Sequence, residues 1–310
     1  MYRKTEALWL SVSPSLKCFD QRLLSRLSKG RSIRRWQYCQ TIDEPCSATA
    51  VVEALHEYLR SRPALPTGQP APKVHLIGHG VSGTIALLYA RQYPQHVASL
   101  TLLSVGDQPA VNWQAHYYAL RRLIPCSREI ILGQMVRLLF GEQAPRFARA
   151  LTHLLAKDLD SNLTLHSLTH SDHIESGGVT VPLLICNGEK DEITAPSQAK
   201  PWQKWLKSGD LLWHCPDGQY FFHFYHYQAV AKAISSYWSG LSPQTPVQTP
   251  GQTPEQTLGQ TSSQSLEVIA DSKTAAESGS HSCIPHFLEQ ELIDIPTSQS
   301  LAARRSATLN

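Results

Sequence analysis

One segment limits what this chain can fold into more than any other: HLIGHGVSGTIALLYARQYP, His75 to Pro94. An apolar run ends in Gly78-His79-Gly80-Val81-Ser82-Gly83, and an apolar helical pattern follows without a spacer. The residues predict a strand, a sharp turn and a helix, with the glycines allowing an unusual backbone conformation and close backbone approach. The segment lies within an alternation of such elements. EALWLSV (6–12), RRWQYCQ (34–40), KVHLIGHG (73–80) and VASLTLLSV (97–105) read as strands. FDQRLLSRLSK (19–29), SATAVVEALHEYLRSR (47–62, with a Ser or Thr cap) and GTIALLYARQY (83–93) read as helices. Strands that alternate with helices imply right-handed βαβ units and a parallel sheet.

The alternation breaks after Asp107. From about 107 to 176 the pattern is helical: WQAHYYALRRLI, SREIILGQMVRLLFG, APRFARALTHLLAKDLD and TLHSLTHSDHI. A strand at 179–193, a helix at 196–207, a strand at 210–216 and a helix at 227–238 then resume the sheet. An insert placed after a strand's carboxyl end is expected over the crevice where ligands bind in such sheets. A second change falls near Leu241, where QTPVQTPGQTPEQTLGQTSSQ repeats with a period of four and offers almost nothing to bury. The expected organisation is one α/β domain over 1–240 with the insert at 107–176, and a disordered low-complexity tail over 241–310. Within the tail, CIPHFLEQELIDIP (283–296) places Phe287, Leu288, Glu291, Leu292 and Ile295 on one face of a possible short helix at 284–295. It reads either as a chance apolar island or as a motif that folds on a partner.

Charge and cysteine content bound the function. The net charge of +3 splits into −4 from Leu241 onward and about +7 before it, which is too little to imply nucleic acid. The basic cluster Arg26 to Arg35 reads as a solvated helix end. Seven scattered cysteines without a CxxC pair argue against a disulfide framework and for a reducing compartment. No run approaches the ~20 apolar residues of a membrane span, and the N-terminal apolar run, Ala7 to Leu10, is too short for a signal peptide. A cytoplasmic location is expected.

As a set, the strand–turn–helix at 73–93, the helical insert, the GEKDEITAP turn (188–196) and the CPDGQYFFHF turn (215–224) resemble the α/β-hydrolase superfamily over residues 6–240. The resemblance implies a mainly parallel sheet with flanking helices and a helical cap, here without the superfamily's first two strands. It also implies a serine nucleophile in Gly-x-Ser-x-Gly on a strained elbow, a later acid and a final histidine base. Gly80 stands at the nucleophile position, Asp191 in Gly188-Glu189-Lys190-Asp191 at the acid position, and Tyr220 at the base position. The loop after the first strand, Ser11 to Ser15, would supply the oxyanion hole, but Pro14 has no N–H. Glycine is no nucleophile, and a tyrosine of ordinary pKa is a poor base at pH 7.

Three functional readings follow. The chain is a degenerate serine hydrolase retaining a pocket for a small apolar or acyl ligand or for a partner. Or it is an active esterase or acyl-hydrolase in which Ser82 or another displaced nucleophile works with His223. Or it is an interaction protein acting on a protein partner through 283–296. Each rescue residue has a plainer reading. Ser82 falls in the first helical turn, where serine caps or packs. His223, like His226, reads as a structural histidine. His79 precedes the elbow without being the base, and Asp191 opposite Tyr220 would accept a phenol hydrogen bond. His166, His170 and His173, with Asp172 nearby, have helical spacing that would suit a metal, but a polar solvated face is preferred. No cofactor, metal, nucleic acid or membrane span is expected.

Overall fold

The computed structural model describes residues 5–12, 14–38, 47–63, 71–161, 174–194 and 202–241. The tail segment 283–296, His166, His170, Asp172, His173 and most of the helix expected at 196–207 lie outside them.

Six strands form one parallel sheet in the order β2-β1-β3-β4-β5-β6. They are β1 (Ala7–Ser11), β2 (Ile33–Gln37), β3 (Val74–His79), β4 (Val97–Leu103), β5 (Leu183–Gly188) and β6 (Leu211–Cys215). Each pairs in parallel with its neighbours. Successive side chains on a strand face opposite ways, and the two cores follow from that rule. Leu8, Leu10, Leu76, Leu100, Leu102, Leu183 and Ile185 point to one face, where α2 (Ala48–Arg60) and α3 (Val81–Gln92) cover them. Ala7, Trp9, Ile77, Leu103, Leu184 and Cys186 point to the other, under α1 (Gln21–Leu27) and α8 (Tyr227–Leu241). A parallel sheet buried on both faces needs nearly continuous apolar strands, and β1, β4 and β5 supply them. Ser47 caps α2 by accepting the Ala50 N–H at 3.1 Å.

The insert between β4 and β5 contains α4 (Trp113–Leu123), α5 (Arg128–Phe140) and α6 (Pro145–Ser161), capped at their starts by Asn112 for α4 and Ser127 for α5. Its junction with the sheet domain is aromatic. Phe140 stacks on Phe221 at 4.8 Å, and Phe19 packs against both. The strand expected at 179–193 spans only Leu183–Gly188: residues 179–182 precede the ladder, and Glu189 to Thr194 leave it to form the turn that carries Asp191.

At the centre of the sheet, β3 passes into α3 through Gly80, which adopts φ +49°, ψ −125°. This is left-handed space that an L side chain enters only under strain. On either side of it, the strand and helix backbones touch. A Cβ on Gly78 would lie 2.6 Å from the Gly83 Cα and from the Ser82 carbonyl oxygen. These are main-chain atoms and cannot rotate away. Gly78→Ala should therefore cost about 3 kcal/mol or more. Gly133→Ala, inside α5 with open space around it, should instead stabilise by up to about 1 kcal/mol. Urea denaturation of both variants measures the contrast.

Candidate functional site

The site lies at the carboxyl edge of the sheet, where β1, β3, β4 and β5 end side by side. There the structure brings together Gly80, Tyr220 and Asp191, which the sequence places far apart. The Gly80 N–H donates to the Leu103 carbonyl at 2.9 Å, fixing the elbow to the end of β4. A Cβ built on Gly80 would overlap the Tyr220 hydroxyl oxygen and stand 3.3 Å from Cζ. The phenol thus fills the space into which a side chain at position 80 would project.

Tyr220 is held from its main chain. Its carbonyl accepts the Ser104 hydroxyl at 2.7 Å and the His79 Nε2–H at 3.0 Å. Ser104 follows β4 in left-handed backbone space, φ +47°, a conformation that costs a non-glycine residue on the order of 1 kcal/mol or more. The Tyr220 side chain is fully buried, and its hydroxyl has no hydrogen-bond partner within normal limits. Burial and the Asp191 charge push the phenol pKa well above its ordinary 10, and the Trp113 backbone amide opposes that rise.

Asp191 is buried at 1% exposure. One carboxylate oxygen accepts the Ile193 and Thr194 N–H groups at 2.9 and 3.0 Å, and the other accepts the Thr194 hydroxyl at 2.6 Å. Burial raises its pKa, with the Thr194 hydroxyl as the largest opposing influence. The expected phenol-to-Asp191 hydrogen bond is corrected here. The turn that positions the carboxylate also supplies its hydrogen bonds, and the Tyr220 hydroxyl makes none with it.

The two rescue residues have separate partners. Ser82 sits in the first turn of α3, and its Oγ accepts the Val12 N–H at 3.1 Å, tying the end of β1 to the helix. The Val12 amide belongs to the loop the resemblance assigns to an oxyanion hole. His223 lies on the four-residue helix α7 (Phe222–Tyr225), fully buried, with Nε2 at 3.3 Å from Asp20 Oδ1. Its pairing is therefore with Asp20 rather than with Ser82, and burial holds its pKa down at about 3.

Asp20 and Trp9 are the residues that the sequence pattern did not single out. Asp20 precedes α1 in a capping position, yet its side chain makes no capping bond. It accepts the Trp9 indole N–H at 2.9 Å and faces His223, and burial raises its pKa to about 7. His79 packs at 4.4 Å from the His223 ring. Burial, reinforced by His223, lowers its pKa to about 3. The only available signal was an acidic residue next to Phe19 at a helix start, which ordinary capping explains equally well.

What remains open between these groups is a cavity of about 30 Å³, lined by Asp20, His79, Gly80, Ser82, Gln114 and Tyr220 among others. That holds one or two water molecules. Ligand pockets are usually about 300–1,000 Å³. Among the described residues no group of three or more His, Cys, Asp and Glu is placed to hold a metal ion, and no helix is long and apolar enough to cross a membrane.

The parallel sheet, the left-handed elbow and the acid-bearing turn define an α/β-hydrolase fold, and the solved structures agree. An esterase from Exiguobacterium antarcticum superposes with a TM-score of 0.57 at 17% identity, over 77% of this chain and 93% of that one. A thermophilic esterase from Thermogutta terrifontis gives 0.57 at 16%, over 76% and 90%. CarC, a serine hydrolase involved in carbazole degradation, gives 0.55 at 12%, over 76% and 91%. At these identities the likeness is one of fold alone. No family model matches the chain. In sequence it is 43% identical over 241 residues to the uncharacterized protein sll0249 of Synechocystis sp., across 78% of this chain and 93% of that protein. It is 41% identical over 244 residues to the uncharacterized protein alr2406 of Nostoc sp., across 79% and 94%. The chain belongs to the family of these two proteins.

Two predictions follow from the site. Gly80→Ala should be strongly destabilising in the native background and much less so when Tyr220→Phe removes the obstructing oxygen. The double-mutant cycle should show about 1–3 kcal/mol of coupling, while Tyr220→Phe alone should cost under about 1 kcal/mol because no hydrogen bond is lost. Additive effects would mean that the two positions do not meet.

The second concerns pH. His75, His79 and His223 are each held by burial at about 3 in the fold, against 6.5 when exposed. The unfolded chain takes up these protons first, so stability is full above pH 6.5 and falls as pH drops through 6.5 towards 3. Asp20, raised from 3.8 to about 7, acts oppositely, its contribution being full below 3.8 and lost as pH rises through 7. The net slope between pH 6.5 and 4.5 should be about two protons, with stability lower on the acid side. Urea midpoints across this range measure it, and His75→Asn should flatten the fall.

Proposed function

We propose that this chain is a non-hydrolytic member of the α/β-hydrolase fold, whose elbow has become a packed junction and whose role is binding. The observation that carries this reading is the Tyr220 hydroxyl standing where a side chain at position 80 would project. Position 80 offers no nucleophilic atom. Position 220 offers a phenol whose proton is held more tightly than in water, so it is a poor general base. Asp191 keeps the acid's place but is satisfied by its own turn. Three further points support the reading. Ser82 Oγ is engaged with Val12, His223 faces Asp20, and the cavity of about 30 Å³ is too small for an acyl ester. The insert α4–α6 acts as a cap over this closed site, and binding falls to surfaces outside it.

The test is labelling with a fluorophosphonate probe together with hydrolysis of short acyl esters. The native chain should show neither above the level of its Ser82→Ala variant. Labelling that maps to Ser82 and disappears in Ser82→Ala would overturn the proposal in favour of an esterase using Ser82 with His223. Gly80→Ser combined with Tyr220→His should gain probe reactivity by building a Ser-His-Asp set with Asp191, and neither change alone should do so, because the triad works as a unit.

A further inference from the structure

Away from the elbow, the turn between α4 and α5 is built unlike the rest of the surface. It reads Arg121-Arg122-Leu123-Ile124-Pro125-Cys126-Ser127-Arg128-Glu129-Ile130, and none of these ten residues is buried. Leu123 is 78% exposed and Ile130 63%, the two most exposed large apolar side chains among the described residues, and Ile124 is 39% exposed. A cluster of this kind on one exposed turn marks an interaction site more than a scatter of single apolar residues would. Ile124 and Ile130 also line a groove of about 750 Å³, continued by Leu120, Ile131, Val136 and Leu138.

The charges beside the tip decide what it fits. Arg128 is committed to Asp160 at 2.7 Å, and Arg137 lies 3.8 Å from Glu142. Arg121 donates to the Cys126 carbonyl at 3.0 Å, bracing the turn while keeping its charge. Arg122 makes no ion pair with a described residue. Glu129 is the single acid within the turn. Glu129 offsets part of the charge of Arg121 and Arg128, so the tip is a short apolar stretch with a net excess of guanidinium charge beside it, Arg122 above all. In a bilayer, apolar side chains enter the acyl boundary while arginines stay at the depth of the phosphates, which they bind as paired donors. Exposed apolar side chains with arginines next to them suit a fluid anionic surface.

We infer that this turn docks the protein peripherally on membranes rich in anionic phospholipid, with Leu123, Ile124 and Ile130 inserted and Arg121 and Arg122 on the headgroups. No residue of the elbow takes part, so the inference stands apart from the function proposed above.

The experiment is co-sedimentation of the full chain with vesicles of phosphatidylcholine alone and of equal parts phosphatidylcholine and phosphatidylglycerol. The chain should bind the anionic vesicles, weaken as salt rises and leave the neutral ones nearly free. Leu123→Ser with Ile130→Ser, and separately Arg122→Glu, should each lower the apparent affinity by about tenfold. Their melting temperatures should stay unchanged, because these side chains are exposed. Failure to bind anionic vesicles at low salt overturns the inference, as does equal binding to neutral ones. Unchanged binding by both variants also overturns it by placing the contact elsewhere. A dimer in light scattering that Leu123→Ser with Ile130→Ser dissolves assigns the patch to a second copy and overturns it as well.

Discussion

The contact between the β3 and α3 backbones at Gly78 and Gly83 is the constraint on which the rest of this structure depends. It forces the chain to reverse within one residue, and Gly80 absorbs the reversal in left-handed space. Because β3 is central, with β1 on one side and β4 on the other, the elbow fixes where the loops after those strands can run. Ser82 reaches Val12 at the end of β1 from the first turn of the helix. The Gly80 amide reaches the end of β4. The next residue of that chain, Ser104, holds the carbonyl of Tyr220. The geometry of the whole carboxyl edge descends from one tight turn.

Burial then sets the chemistry of that edge. Tyr220, Asp191, Asp20 and His223 are buried and His79 is partly so, and the low-dielectric surroundings favour the neutral form of each. Histidine pKa values fall and carboxyl and phenol values rise. An active hydrolase site needs groups whose environments push their pKa values towards the operating pH and leave room for substrate. Here the same groups interlock with almost no free volume. They hold together four stretches of chain, at β1, the elbow, the end of β4 and the last turn before α8.

The sheet was legible because its signal is redundant. Six apolar runs, each bounded by turn residues, agree with the parallel pairing, and the strand–turn–helix pattern around Gly78 to Gly83 places the sharp turn where Gly80 adopts its positive φ. The place of Asp191 was equally readable, since a carboxylate three residues after Gly188 at a strand end has few alternatives. What the sequence withheld was side-chain partnership across long separations. Nothing in FDQRLLS shows that Asp20 leaves its helix end to meet Trp9 and His223, 203 residues away from the latter. Nothing near 220 shows that the phenol points at residue 80 instead of at Asp191. Such pairings depend on how turns stack in three dimensions, and local propensity carries no trace of them. The length of β5 was overestimated for a related reason, because the ladder stops where the Asp191 turn begins to use its own amides.

The meeting of Gly80 and Tyr220 also imposes an order on history. A side chain cannot arrive at position 80 while the phenol stands there, since it would overlap the hydroxyl oxygen. A smaller or differently aimed residue at 220 can arrive first without any such conflict. Passage in either direction between a glycine elbow and one bearing a side chain must therefore run through a change at 220 while 80 is still glycine. The opposite route begins with a step that the fold resists. For this chain, drift at position 80 is gated by residue 220, and descendants of it that differ at position 80 should also carry the trace of an earlier change 140 residues downstream.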